Sequence, residues 1–460
     1  MLTDEFLVAP RWFSIKTNPT RRIIMSKHLI VISVDALVFE DLEYARNLPA
    51  FQSLLERGSI VERITTVYPS STHPVHASII TGVPTGDTGI ICNKKIFKDN
   101  PIDTSEWFNS LDDIKAETIF HAAKRAGLTT AAAHWPLNTH GKHVIDYLVP
   151  NAMNEDFIGY ENNPIEAYKA LGATKPVLDI ITEAYTLYGY ENEHPGIDNF
   201  QTHCCVEIIK RFKPNLLLTH PGDVDAVRHD FGVFNDKVNL SLERTDRWIG
   251  QIVQATKDAG IYDDTDFVVL GDHGQINVMR AVRFNTVLKE HGFIRTDDQG
   301  KLLSYDAIIR SNGASALVYL SRPNDEKLVA SVYKLLSDYA KSLLYGFEAV
   351  FTAEEAKAKY GLFGDFSFVI ETDGYTAFSN LLDGPTIVPY KTEDCKYCRA
   401  THGYAPEKGP QTTFFAAGPS IKKGVTIPRG SVLNHAPTFA AILGVSLSSA
   451  VGKPVTEILK

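Results

Sequence analysis

A chain of 460 residues is long enough to bury the core of one large domain carrying an insertion, or of two or three ordinary domains. With 44% hydrophobic and 22% charged residues it is neither disordered nor fibrous, and a formal net charge of -9 argues against broad binding to a nucleic-acid backbone or duplex, which needs clustered Lys and Arg. No apolar run reaches the roughly 18 to 20 residues of a membrane span.

Met1 to Arg22 lacks the compact apolar core of a secretory signal, and Met25, just before "SKHLIVISVD", is a candidate native start, which makes residues 1–27 an N-terminal extension. The first strand-like run is "HLIVISVD" (His28 to Asp35), followed by a helical pattern in "NLPAFQSLLERG" (Asn47 to Gly58). Next comes "TTVYPSSTHPVHASIITG" (Thr65 to Gly82), seven Ser and Thr residues and two histidines around two prolines, running on into a helix. "ETIFHAAKRAG" (Glu117 to Gly127) and "SLERTDRWIGQIVQATKDAG" (Ser241 to Gly260) are further helices with glycine stops. "TTAAAHW" (Thr129 to Trp135), "NLLLTHPG" (Asn215 to Gly222), "DFVVLGDHG" (Asp266 to Gly274) and "TFFAAG" (Thr413 to Gly418) are apolar without alternation, as buried parallel strands are. This alternation predicts a doubly wound α/β fold.

Between Gln275 and Ala400 the pattern changes. "ALVYL", the long helix-like "EKLVASVYKLLSDYAKSLLYG" and "FSFVIE" predict a small α+β unit, read as an inserted cap over 275–400, with 28–274 and 401–460 forming the main domain. Five cysteines, odd in number and including the adjacent Cys204 and Cys205, do not form the pattern of a secreted disulfide framework, so a reducing cytoplasm is expected. The single "CKYC" at Cys395 to Cys398 is compatible with half a zinc site or a redox pair, but ordinary thiols are the favoured reading.

Several strand-like runs end in Asp or His. Asp35 closes the first, Asp225 and His229 follow the "NLLLTHPG" strand, and Asp272 and His273 close "DFVVLGDHG". Ligands of open α/β sheets bind outside the carboxyl ends of the strands, so these residues are expected to converge despite their separation in sequence. Singly, an Asp after a strand is more often a helix cap and a lone His more often a satisfied polar residue. Together, "DAVRH" puts a carboxylate and an imidazole one helical turn apart, and "DHG" presents two donors side by side. A mixed Asp and His set suits Zn2+, with Mn2+ or another divalent ion less favoured. Two such ions about 3.5 to 4 Å apart assist in-line displacement at phosphorus, and a nearby hydroxyl becomes a competent nucleophile.

Six motifs in order, "DA" at Asp35, "YPSSTHPVHASIITG" at Tyr68 to Gly82, "GIICN" at Gly89 to Asn93, "DAVRHDFG" at Asp225 to Gly232, "GDHG" at Gly271 to Gly274 and "THGY" at Thr401 to Tyr404, resemble those of the alkaline phosphatase superfamily. The match is to its nucleotide pyrophosphatase/phosphodiesterase branch and the similar phosphonoacetate hydrolases. The resemblance implies an α/β/α sandwich with a mostly parallel central sheet and an inserted cap. It further implies two Zn2+ ions, one beside Asp35, Asp272, His273 and Thr72, the other beside Asp225, His229 and His402. Thr72 takes the nucleophile's place and forms a phosphothreonine intermediate that water hydrolyses. Asn93, with the backbone N–H of Thr72, takes the place that holds a phosphoryl oxygen. His76 is expected to support the site rather than to be a seventh ligand.

The implied substrate is a small phosphate diester, pyrophosphate or phosphonate. Sulfatases carry Cys or Ser at the nucleophile and Arg where this chain has His76; alkaline phosphatases proper use Ser and an Arg that grips a monoester. Neither pattern is present. His73, directly after Thr72, stands where nucleotide-cleaving members carry an aromatic, and Arg228 stands where they have Gly. Trp135 is either a pocket wall or core, and Lys94 and Lys95 either bind a second anion, as in a phosphonate hydrolase, or are solvated. Phosphonoacetate-type C–P hydrolysis, transfer to another acceptor and an inactive metal-binding protein remain as alternatives. Oligomeric state is not legible.

Overall fold

A computed structural model of the chain describes residues 27–160, 162–189, 193–342, 344–389 and 399–460. Residues 1–26 of the N-terminal extension and the Cys395 to Cys398 pair lie outside them.

The strand His28–Val34 is buried along its whole length. Leu29 and Val31 enter one apolar cluster while Ile30, Ile32 and Val34 enter another, so an unalternating apolar strand is what a sheet covered on both faces demands. It pairs in parallel with Leu216–Thr219 on one side and Thr265–Gly271 on the other. The full eight-stranded sheet runs Thr426–Ser431, Ser59–Thr65, Thr412–Ala417, Thr265–Gly271, His28–Val34, Leu216–Thr219, Thr130–Ala133, Tyr147–Val149. Helices Thr72–Thr81, Ile119–Arg125 and His435–Leu443 supply the first cluster; Pro49–Arg57, Leu178–Tyr188, Gly196–Phe212 and Asp236–Asp258 supply the second. The result is the α/β/α sandwich expected from the sequence.

Two expectations need correcting. The "TFFAAG" strand, Thr412–Ala417, is antiparallel to both its neighbours. The chain reaches it directly from the loop after Thr401, with no crossover helix, and a parallel pairing would require one. The helix expected from Ser241 starts earlier, at Asp236, because Asn235 caps it: its Oδ1 accepts from Lys237 N at 3.0 Å and Val238 N at 3.3 Å.

Within 275–400, strands Ala307–Ser311, Ser315–Leu320, Phe368–Thr372 and Phe347–Thr352 form a four-stranded antiparallel sheet in that order, packed with helices Glu326–Ser342 and Ala353–Tyr360. The chain leaves and returns through Ile276–Asn277 and Ala400–Thr401, which pair antiparallel. The loop after Asn93 joins this unit: Arg310 Nη1 donates to Pro101 O at 2.9 Å and Tyr305 OH to Lys98 O at 2.6 Å. Cys92, Cys204 and Cys205 are buried and unpaired, and burial pushes the thiols of Cys92 and Cys205 up to about 12, so they behave as small apolar residues. Among the described residues no helix is long and apolar enough to cross a membrane.

Candidate active site

Three adjacent parallel strands end at one place. Asp35 follows His28–Val34, and the next residue, Ala36, sits in the left-handed region at φ 59. A non-glycine residue holds that conformation only when its surroundings impose it. Here Ala36 N donates to Asp272 Oδ1 at 2.9 Å and Ala36 O receives the guanidinium of Arg228. Arg228 is fully buried, is paired with Asp41 and also donates to Val233 O at 3.0 Å. Its side chain is therefore spent on bracing the turn after Asp35.

Asp272 and His273 follow Thr265–Gly271, whose last residue must be glycine, since a Cβ there would lie 1.9 Å from Leu37 O. The third strand leads into the helix Asp223–Phe231, which presents Asp225 and His229 one turn apart, with His229 Nε2 3.1 Å from Asp225 Oδ2. His229 Nδ1 lies 2.7 Å from Ala400 O; a carbonyl only accepts, so Nδ1 carries a proton and fixes the ring with Nε2 turned towards Asp225. His402 arrives from the strand Ala400–Thr401 and stacks on His273 with ring centres 4.1 Å apart.

Thr72 is the first residue of its helix, where backbone N–H groups lack intrahelical acceptors. Its Oγ1 is 3.1 Å from His273 Nε2. Asn93 lies alongside, its Oδ1 accepting from His73 N at 3.0 Å, which leaves the amide N–H2 as a donor. His76, one turn on, is occupied on both nitrogens, 2.8 Å from Thr72 O and 3.0 Å from Ser33 Oγ, and so braces the nucleophile helix against the first strand.

The eight residues singled out from the sequence are thus brought together. Donor atoms of Asp225, His229 and His402 all lie within 4.8 Å of one another, as do those of Asp35, Asp225 and His273. Asp272 Oδ2 and Asp35 Oδ1 are each 3.4 Å from His273 Nε2. Asp225 lies between the two groups, a sharing that the division into two separate sets did not anticipate. Two residues were overlooked. His220 donates from Nδ1 to Ser33 O at 2.8 Å and places Nε2 3.1 Å from Asp35 Oδ2. Gln275 Nε2 donates to Asp225, carboxylate and carbonyl, the latter at 3.1 Å. His220 carried a legible signal, since it ends the strand Leu216–Thr219 as Asp35 ends its own.

Burial raises Asp35 well above the usual carboxylate range, and the neighbouring Asp225 and Asp272 add to it. Burial likewise pushes Asp272 up to about 6. Asp225 is held below the usual range: burial opposes its charge, but the adjacent His229, within hydrogen-bond distance, prevails. Burial lowers His273 to about 4 and His402 well below its ordinary value, so both rings are neutral and have lone pairs to give. Asp35 Oδ1 and Asp272 Oδ2 are buried without a hydrogen bond. Buried acceptors crowded together in this way are costly unless a cation joins them, and carboxylate with neutral imidazole is the donor chemistry of divalent Zn2+.

Beside Thr72, the buried ring of His73 lies against Trp107 with centres 5.2 Å apart, and burial lowers its pKa to about 3. Lys94 Nζ stands 4.5 Å over the Trp107 ring and donates to Thr104 O at 2.8 Å, while Lys95 lies 3.7 Å from Glu106 and 3.8 Å from Asp113. Both lysines are thus engaged by their own loop. Trp135 is fully buried, edge-on to His76 at 4.8 Å, and belongs to the core rather than to a pocket wall.

The sequence profile of the family described as type I phosphodiesterase / nucleotide pyrophosphatase matches residues 29–405. Among curated proteins, an uncharacterized pyrophosphatase/phosphodiesterase of Schizosaccharomyces pombe is 25% identical over 259 residues, 55% of this chain and 45% of that protein. Naja atra venom phosphodiesterase is 23% identical over 405 residues, 86% of this chain and 41% of its own. Human bis(5'-adenosyl)-triphosphatase is 25% identical over 257 residues, 54% of this chain and 47% of its own. The matched regions therefore span less than half the length of these relatives. The structure of an inactive variant of murine ectonucleotide pyrophosphatase / phosphodiesterase 5 in complex with AMP superposes with a TM-score of 0.66 at 16% identity, covering 94% of this chain and 100% of that one, and so has the same fold.

Proposed function

The chain belongs to the type I phosphodiesterase / nucleotide pyrophosphatase family of the alkaline phosphatase superfamily, and on that premise we propose that it is a two-metal phosphodiesterase or nucleotide pyrophosphatase whose nucleophile is Thr72. The observation that carries this reading is the hydroxyl of Thr72, at a helix N-terminus and 3.1 Å from His273, within a nest of buried carboxylates and neutral imidazoles that leaves acceptors unsatisfied.

Asp35, Asp272 and His273 would hold one ion beside Thr72, and Asp225, His229 and His402 the other, with Asp225 within reach of both. Bound divalent cations supply the positive charge that favours loss of the hydroxyl proton and offsets charge gained by the phosphoryl and leaving oxygens. The protein's own groups do the rest. The backbone N–H of Thr72, at the start of the helix, and the Asn93 amide are placed to hold a phosphoryl oxygen. Thr72 Oγ1 forms a bond to phosphorus as the leaving oxygen departs on the opposite side, and water then breaks the phosphothreonine bond and restores the hydroxyl. His76 and His220 keep Thr72 and Asp35 in place. The described part of residues 275–400 reaches the site at Ala314, whose N–H donates to His402 O at 2.8 Å, and is read as its cap.

The relatives' names, which include phosphodiesterases and a dinucleotide triphosphatase, favour a nucleotide-type diester or pyrophosphate, and Trp107, which packs on the buried His73 ring, supplies an aromatic beside the nucleophile. A phosphonate hydrolase that grips a carboxylate through Lys94 and Lys95 is less well supported, because both lysines are engaged within their loop.

The test is turnover of bis-p-nitrophenyl phosphate, p-nitrophenyl phosphate, a nucleoside p-nitrophenyl phosphate and phosphonoacetate by zinc-loaded protein, with and without chelator, beside Thr72→Ala. Diesters should be cleaved faster than the monoester, and chelation should abolish the activity. Wild-type turnover by Thr72→Ala would overturn the nucleophile, and absence of both turnover and bound metal would overturn the whole reading.

A further inference from the structure

Residues just before Thr72 and Asn93 belong to the core of the inserted unit rather than to that of the main sheet. Tyr68, Ile91 and Cys92 are buried in the apolar cluster built by the strands Ala307–Ser311, Ser315–Leu320 and Phe368–Thr372 and the helix Glu326–Ser342. Asn93 then opens a loop that returns to it at Phe108. Phe108 N donates to Asn93 O at 3.0 Å and Lys95 N to Glu106 O at 2.8 Å, so the two ends of the loop are joined at its base. There Asn93 Oδ1 accepts from His73 N at 3.0 Å, and the Trp107 ring packs on the His73 ring with centres 5.2 Å apart. The base of the loop therefore carries the Asn93 amide beside the nucleophile.

The far end of the loop is held by the inserted unit. Arg310 donates through Nη1 to Pro101 O at 2.9 Å and to Asp103 O, and Tyr305 OH donates to Lys98 O at 2.6 Å. The strand that carries Arg310 is pinned on both sides of it: Asn285 Oδ1 accepts from Ile309 N at 2.8 Å, and Asn380 Oδ1 from Ser311 N at 2.7 Å. Arg310 is 2% exposed, and among the described residues no carboxylate stands within ion-pair distance of it. Burying a guanidinium against carbonyl oxygens costs free energy that a well-packed apolar side chain would not. Stability is thus a poor reason for an arginine here, and reach is a better one. A single nitrogen draws together the carbonyls of Pro101 and Asp103 and so fixes the path of the loop.

We propose that Arg310 is a positioning residue for phosphodiester cleavage: by fixing the loop 94–107 from the inserted unit, it sets the Asn93 amide against the phosphoryl oxygen. The inference rests on the phosphodiesterase reading and gives the inserted unit a part in the reaction that needs no contact with substrate. Arg310 is placed on neither the nucleophile nor the metal-side donors, so its effect passes through Asn93 and leaves the bound zinc alone.

The test is a double-mutant cycle on zinc-loaded full chains. Zinc content and kcat/KM for bis-p-nitrophenyl phosphate are measured for wild type, Arg310→Met, Asn93→Ala and the two changes combined. Arg310→Met should lower kcat/KM about tenfold on its own, less than the roughly hundredfold expected from losing the Asn93 donor, and less than about twofold once Asn93 is alanine. Arg310→Lys keeps a donor on a shorter reach and should recover most of the loss, with zinc content unchanged throughout. Equal losses from Arg310→Met in the two backgrounds, or no loss in either, would overturn the proposal and leave Arg310 as a structural tie. Where Arg310→Met fails to fold, Arg310→Gln, which stays polar but falls short of both carbonyls, takes its place in the cycle. If wild type turned over no substrate, the phosphodiesterase reading would fall, and hydrogen exchange would still decide what Arg310 holds. The amides of Lys95 and Phe108, which close the base of the loop, should exchange at least about threefold faster in Arg310→Met than in wild type, and unchanged exchange would sink the idea.

Discussion

The floor of the site and the junction between the cap and the sheet are both built from buried polar side chains, and they differ in whether those side chains satisfy one another. At the junction, Glu371 accepts from Tyr68 OH at 2.7 Å and from Ala405 N at 3.0 Å and is paired with Lys408 at 3.1 Å. On the floor, Asp35 Oδ1 and Asp272 Oδ2 have no hydrogen bond, and imidazoles that burial keeps neutral surround them. A closed network holds two parts of a fold together; an open one is unstable until something from outside completes it. The contrast therefore separates residues that position the site from residues that do its chemistry, although both are equally buried.

The strongest way to break the comparison is at Thr72, whose hydroxyl belongs to the open network. Thr72→Ala should lower kcat by about a thousandfold or more while the thermal midpoint stays within a degree or two, because only a hydroxyl and one methyl group are removed. Comparable activity in the variant would erase the distinction. Next in size is Asp225→Ala. Since Asp225 stands in both donor groups, bound zinc should fall from two ions per chain to less than one by elemental analysis. Stripping the metal from wild type should lower its thermal midpoint by several degrees, as the open carboxylates lose the cation that binds the folded state alone.

The closed network should respond in stability and not in metal content. Tyr68→Phe removes one donor to Glu371 and should cost about 1–3 kcal/mol in denaturant unfolding, with zinc stoichiometry unchanged. The smallest expected effect is a pH dependence. Burial raises Glu371 from its ordinary 4.5 to about 7, against the opposing pull of Lys408 and Ala405. A raised carboxyl favours the protonated form in the folded state, so its contribution is full below about pH 4.5 and is lost as pH rises through about 7. The difference in thermal midpoint between wild type and Glu371→Gln should therefore drift against wild type over that window; a difference that is flat with pH would show that Glu371 titrates normally.

Much of the molecule was legible in advance because its signals are local. The apolar runs ending at Asp35, Thr219 and Gly271 need two covered faces, and a parallel sheet covered by helices is the arrangement that provides them. The carboxyl-edge rule then gathered Asp35, Asp225, His229, Asp272 and His273, and motif order added Thr72, Asn93 and His402. What could not be read was where long side chains end. Arg228 looked like a change in the site, yet it turns inward to Asp41 and Ala36 O. Trp135 was equally compatible with a pocket and with the core that holds it.

By itself the sequence determined the central apolar strands, the glycine stops after several helices and the types of donor at the strand ends, since these follow from periodicity and from the chemistry of neighbouring residues. Only the tertiary structure decided that Thr412–Ala417 runs backwards, that Asp225 lies within reach of both donor groups, and that His220 stands behind Asp35. Such contacts join residues distant in the chain, and sheet order and packing, rather than any local pattern, set which polar atoms meet there.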